Sequence, residues 1–296
     1  MSTRKHAFLL FAKPPIPGLV KTRLTQENEG PFTEEEAAEI YRRCMFDVAE
    51  LACLAIHDLE VENATHRVSK PKDDDHTYTF FISTTPAENA EIMRTTFEEI
   101  GQWPREFTYL VDEGSNFDEH FDSAFKQIFD MGYDTILCVG ADIPMLPKDH
   151  LINGFKWLQY FLEDDINAAE SGEAIGGVVL APCQEVGVSL IGWTKSTPID
   201  HQGVYYNMSG RPALDAYVEK AREKGIPMAT MMPVADIDDV SDFAHATSLA
   251  RAAKYSHEFQ PDLYVPERFL AWVDWRGIKV GTPPNEDRDS REGIDR

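Results

Sequence analysis

A chain of 296 residues that is 43% hydrophobic and 27% charged can bury a sizeable core, and this balance excludes a wholly disordered chain. A formal net charge of -23 argues against nucleic acid and anionic membrane as partners, because both need a basic footprint. No apolar run approaches bilayer length and the first apolar stretch is too short for a signal peptide, so a cytoplasmic protein is expected.

Residues 6–13, HAFLLFAK, form a short apolar run bounded by prolines, which predicts a buried strand. The loop behind it gathers Lys13, Lys21 and Arg23 with Pro14, Pro15, Pro17 and Gly18, and no acid appears before Glu27. Thr33 and Glu36 fit a capping box, and Ala37, Ile40, Tyr41, Val48, Leu51, Ala52 and Ile56 recur at helical spacing, so a helix is predicted from about Thr33 to about His57. Residues 61–76 are polar and turn-rich and read as an exposed loop before the strand YTFFIST. PAENAEIMRTTFEEIG predicts a helix between Pro86 and Gly101, and FTYLVD a strand. In FDEHFDSAFKQIFDMG, Phe121, Phe125, Ile128 and Phe129 share one helical face.

TILCVGADIPML reads as a strand running into a turn, followed by a helix over about 148–162 and a loop at 164–173. GGVVLAP, GVSLIGW and MATMMPV predict further strands; RPALDAYVEKAREKG, closed by Gly225, and SDFAHATSLARAAK predict helices. Strands alternating with helices argue for a mostly parallel sheet covered on both faces. Residues 264–277, YVPERFLAWVDWRG, concentrate aromatic side chains that would pack on the domain or cover its site. Trp272 and Trp275 would meet this chain's own core or a second subunit, so a homodimer stays open. Residues 282–296 are polar, charged and expected to be disordered. Cys44, Cys53, Cys138 and Cys183 are scattered without a C-x-x-C pair, which predicts buried free thiols.

Three constellations carry chemistry. The loop of Lys13, Gly18, Lys21 and Arg23 follows the first strand, where a loop entering a helix offers N–H groups and cations to phosphate oxygens; its plainer reading is a solvated basic turn. Asp142 lies just behind the strand ending at Val139, where it would coordinate a hard cation such as Mg²⁺ or simply cap a turn. Asp236, Asp238 and Asp239 follow a late strand and would supply further ligands, or cap the helix beginning near Ser241. His120 and His201 are candidate general bases without a partner identifiable in the sequence.

The segments FAKPPIPGLVKTRL, VGADIPML and DIDDVSDF, taken together, resemble signatures of the GT-A nucleotide-diphospho-sugar transferase superfamily. Within it they resemble the bacterial glycosyltransferase-like family related to 2-phospholactate guanylyltransferase, some of whose members are assigned to arsenosugar biosynthesis. The resemblance spans about residues 6–250 and implies an α/β GT-A, Rossmann-like three-layer sandwich with a mostly parallel central sheet. The expected organisation is a nucleotide-binding transferase domain at 1–254, an aromatic extension at 255–281 and the tail at 282–296. By the same resemblance Lys13, Gly18, Lys21 and Arg23 hold phosphates. Asp142 binds Mg²⁺ or Mn²⁺ with Asp236 or Asp238, and Lys21, Arg23 and Asp142 form the catalytic set.

Two elements depart from that family. An Asp-Gly-Gly element after VVLAP is here CQEVGVSLIG, keeping only Gly187, and a Leu-Gly-Glu-Arg element is here Phe117-Asp118-Glu119-His120. Asp118, Glu119, His120, Glu185 and Gly187 are therefore the acceptor-side candidates. The function expected is metal-dependent transfer from a nucleotide-activated donor to a small-molecule acceptor. Nucleotidyl transfer from a nucleoside triphosphate to a phosphorylated molecule is slightly favoured over glycosyl transfer from a nucleotide-sugar. A third reading is a degenerate relative that binds a nucleotide or a protein partner without turnover.

Overall fold

The computed structural model describes residues 3–69, 75–168 and 174–281. Seven strands, β1 (Thr3–Phe11), β2 (Asp75–Thr84), β3 (Phe107–Val111), β4 (Thr135–Val139), β5 (Val178–Pro182), β6 (Val188–Thr194) and β7 (Met228–Thr230), form one sheet. Their spatial order is β3-β2-β1-β4-β6-β5-β7. The β1–β2, β2–β3, β1–β4 and β5–β7 pairs are parallel, and β6 runs antiparallel to both β4 and β5. The expected α/β three-layer architecture with a mostly parallel sheet is present.

Alternation along the strands builds the layers. Phe8 and Leu10 of β1 pack into a core with α1 (Glu34–Ser69), α2 (Ala87–Glu98) and α4 (Lys148–Ala168), whereas Ala7 and Leu9 face α3 (Phe117–Asp130) and α5 (Ala213–Lys224). A third apolar cluster lies where α1 meets α6 (Val240–His257) and α7 (Glu267–Trp275). All four cysteines are buried free thiols. No helix among the described residues is long and apolar enough to cross a membrane.

Several boundaries differ from the sequence reading. The loop expected at 61–76 is helical through Ser69, because the polar stretch continues α1 along solvent and its side chains bond locally: Thr65 Oγ1 donates to the Val61 carbonyl, and Asn63 Nδ2 donates to Asp75 and His76 of β2. The loop expected from 164 is helical to Ala168, since Asp165 turns inward to accept from the Gly176 N–H and the Thr194 hydroxyl. Of MATMMPV only Met228–Thr230 pairs as a strand, although Met231 and Val234 still donate to Leu180 and Pro182 as the chain peels away. The expected disorder of residues 282–296 lies outside the described residues.

The aromatic segment packs on the domain. Phe269, Leu270, Trp272 and Val273 are buried against α1 and α6, while Trp275 is exposed. The buried Asp47 carboxylate, on α1, accepts from the backbone N–H groups of Arg268 (3.1 Å) and Phe269 (2.8 Å) and so caps α7 from another helix. Burial outweighs those hydrogen bonds and pushes Asp47 up to about 7. A carboxyl whose folded pKa is raised contributes most at low pH and loses that contribution as pH rises through the folded value. Urea denaturation should therefore show wild-type stability declining from about pH 4 to about pH 7 more steeply than that of Asp47→Asn. Asp47→Ala, which removes the acceptor of two N–H groups, should cost about 1–3 kcal/mol.

Candidate active site

A cleft of about 870 Å³ opens along the edge where β1, β2, β3 and β4 end and where the antiparallel β6 begins. Lys13, Lys21 and Arg23 line it from the first loop, Thr84 and Asp112 from the ends of β2 and β3, and Asp142, Ser189, Asp236 and Asp238 from the other side. Ligands bind at such strand ends in open α/β sheets.

Lys21 is held by its neighbours in the chain. Val20 and Leu24 are buried, and the 3-10 turn Thr22–Leu24 starts directly after Lys21, whose backbone adopts the left-handed region at φ 49°. A non-glycine residue there is uncommon and is kept by its surroundings. The result is that Lys21 Nζ donates to Asp142 Oδ2 at 2.6 Å and to Asp238 Oδ1 at 3.0 Å. Burial alone would lower the Lys21 pKa, but the two carboxylates outweigh it and hold the ammonium above the ordinary lysine value. Arg23 stands farther out, 67% exposed, with Nη1 3.6 Å from Asp238 Oδ2. Lys13 is exposed at the cleft wall, and its N–H donates to the Tyr41 hydroxyl. Gly18 lies outside the cleft lining; its φ of +77° turns the loop.

The acidic side is knitted by backbone contacts. The Ile237 N–H donates to the Asp142 carbonyl at 3.0 Å, tying the loop after β4 to the one before α6. Gly140 leaves room for the Asp142 side chain, since a Cβ there would stand 3.0 Å from its Oδ1. Burial, then the charge of Asp142, with a smaller push from Asp238, raises Asp236 to about 6. Asp239 caps α6 in a reciprocal capping box with Asp242, its plainer expected role. Among the described residues no three His, Cys, Asp or Glu side chains stand in a ready-made metal arrangement. The cation lying between Asp142 and Asp238 is the Lys21 ammonium. The donor set, the carboxylates of Asp142, Asp236 and Asp238 lining one cleft, nonetheless fits a hard divalent ion in kind.

The acceptor-side candidates separate. Asp118 is buried, and its carboxylate accepts from the N–H groups of Val204, Tyr205 and Tyr206, which commits it to holding that loop. Glu119 accepts from the Ser115 hydroxyl and N–H, and these bonds lower its pKa. His120 and Gly187 line the cleft, and Glu185 falls in the turn Gln184–Val186. His201 is buried outside the cleft lining against Phe121, Phe125 and Trp193; its Nδ1 lies 2.7 Å from Asp122 Oδ1, while burial lowers its pKa.

Asp112, which the sequence reading passed over, is the partner of His120. Their Oδ1 and Nδ1 atoms are 2.9 Å apart but off the line of a hydrogen bond, and Ser83 Oγ donates to the other Asp112 oxygen at 2.6 Å. The signal was available: Asp112 closes the strand FTYLVD just as Asp142 follows TILCV. Gln184 and Ser189, also missed, reach the Asp236 carbonyl and carboxylate from the β5–β6 hairpin.

Lys21→Met leaves these acids uncompensated and should lower unfolding free energy by about 1–3 kcal/mol at pH 8, less than for a fully buried pair because Asp142 and Asp238 are partly exposed. The loss should shrink at pH 5, below the Asp236 value of about 6, where that carboxyl takes up a proton. Urea denaturation at the two pH values measures both.

Residues 73–208 match the family model described as "Uncharacterized protein conserved in bacteria (DUF2064)", a span that includes Asp112, His120 and Asp142 but not the basic loop or Asp236. No curated protein matches the chain. Among solved structures, a "putative nucleotide-diphospho-sugar transferase" from Desulfovibrio desulfuricans G20 is 19% identical with a TM-score of 0.59, covering 91% of this chain and 95% of its own. A cytidylyltransferase from Leptospira borgpetersenii serovar Hardjo-bovis is 14% identical with a TM-score of 0.43, covering 93% and 95%. Residues 73–208 thus resemble the DUF2064 family, within an α/β fold like that of the Desulfovibrio structure.

Proposed function

We propose that this protein is a transferase that takes its group from a nucleotide-activated donor, with Mg²⁺ or Mn²⁺ as cofactor. The observation that carries the reading is the meeting of Lys21 and Arg23 with Asp142 and Asp238 in one cleft, with Asp236 lining its wall. A -23 chain receives a polyanion only through a local basic site or a metal ion, and both kinds of residue are gathered here.

In this reading Lys13 and Arg23, the exposed cations, meet the donor phosphates first, and Lys21 joins them. Asp142, Asp236 and Asp238 hold the divalent ion, which when bound neutralises phosphate charge and orients the leaving group. The donor favoured is a nucleoside triphosphate attacked by a phosphorylated small molecule, with pyrophosphate leaving. Such an acceptor is already ionised and needs no protein base, so positioning and charge stabilisation supply the catalysis. A second reading, transfer to a hydroxyl from a nucleotide-sugar, is favoured by His120 standing beside Asp112 in the cleft, where it would take the hydroxyl proton.

Thermal unfolding with single nucleoside triphosphates and nucleotide-sugars, with and without Mn²⁺, tests the donor. A ligand at a hundredfold excess over Kd adds about 2.7 kcal/mol of stability. Stabilisation by a triphosphate that needs Mn²⁺ and disappears in Asp142→Ala is the expected result. Preference for a nucleotide-sugar would turn the reading to glycosyl transfer, and no response to either class would overturn it.

A further inference from the structure

Lys21 is placed for two tasks that exclude each other. Its Nζ lies 2.6 Å and 3.0 Å from one oxygen each of Asp142 and Asp238, in the space that an ion shared by those carboxylates would occupy. Mg²⁺ sits about 2.0–2.1 Å from its ligands, so ammonium and metal cannot both lie between these oxygens, and their like charges repel at contact. Two of the ammonium's three N–H donors are spent on the acids, which leaves at most one for a phosphate while both acids hold it. Its side chain is 8% exposed, against 67% for Arg23, so of these two loop cations it is the one drawn inward.

We infer that Lys21 is a resident stand-in cation, which holds Asp142 and Asp238 together in the free protein and yields them to a divalent ion as the donor's phosphates take its ammonium. The inference rests on the metal site proposed above. In the free protein the ammonium offsets carboxylates that would otherwise repel one another, and metal alone binds weakly because it must first displace an ion pair. Phosphates lower that cost by accepting Lys21, so metal and donor assist each other, and by linkage each does so by the same factor. The site thereby loads both together and resists idle occupation by metal.

The test uses the full chain and Mn²⁺ alone, with the free aquo ion followed by electron paramagnetic resonance in wild type, Lys21→Met and Arg23→Met. Lys21→Met should bind Mn²⁺ about tenfold more tightly than wild type, equivalent to about 1.4 kcal/mol. Arg23→Met should gain much less, because Arg23 stands beside the acids without occupying the space between them. Equal gains in the two variants, or none in Lys21→Met, overturn the exchange while leaving the metal site standing. No Mn²⁺ binding by any of the three removes the metal reading and the exchange together. Should Lys21→Met fail to fold, wild type still decides: acetic anhydride labelling mapped by mass spectrometry should show saturating Mg²⁺ speeding modification of Lys21 but not of Lys13. Unchanged Lys21 labelling, with Mg²⁺ binding seen by calorimetry, overturns the exchange.

Discussion

The contact on which the cleft depends is the Lys21 ammonium between Asp142 and Asp238. Carboxylates brought together at one sheet edge repel. The chain answers with a cation from its first loop, held by a left-handed backbone between buried Val20 and Leu24. That cation joins segments 121 and 217 residues away in sequence. The central sheet makes the meeting feasible: β1 and β4 are adjacent and parallel, so the loops that follow them emerge side by side.

Much of the architecture was legible in the chain, because alternation of apolar strands with amphipathic helices has few folded solutions. The errors have physical causes. Residues such as Asn63 and Thr65 favour turns in isolation, yet in α1 their side chains find partners without leaving the helix. Asp165, in what read as a loop, ends α4 as a buried acceptor. Local propensity describes what a residue prefers before its tertiary partners are known.

The meeting of the basic loop with the acids was legible in the sequence, the rest of the cleft less so. The basic loop and the strand-end aspartate announce themselves by composition and placement. Asp112 and His120, by contrast, acquire meaning only from a distance between elements, which sequence spacing does not encode. Asp118 shows the opposite case: its place in the element that departs from the family suggested chemistry, but three backbone N–H groups take its carboxylate. Gly18 likewise serves the path of the loop rather than the wall of the cleft.

The antiparallel β6 brings a different freedom. Because it runs against its neighbours, one wall of the cleft is the tip of a hairpin, Cys183–Gly187, closed by the Cys183 N–H to the Gly187 carbonyl. Such a tip can lengthen at modest entropic cost, about 0.6 kcal/mol for each doubling of a flexible loop, with the strands on either side kept in register. Gln184 tethers it to the Asp236 carbonyl and to Asp242, so variation there is felt at once beside the acids. The hairpin is thus an exchangeable part: a change in its length would reshape one wall of the cleft while the residues at the ends of the parallel strands keep their places.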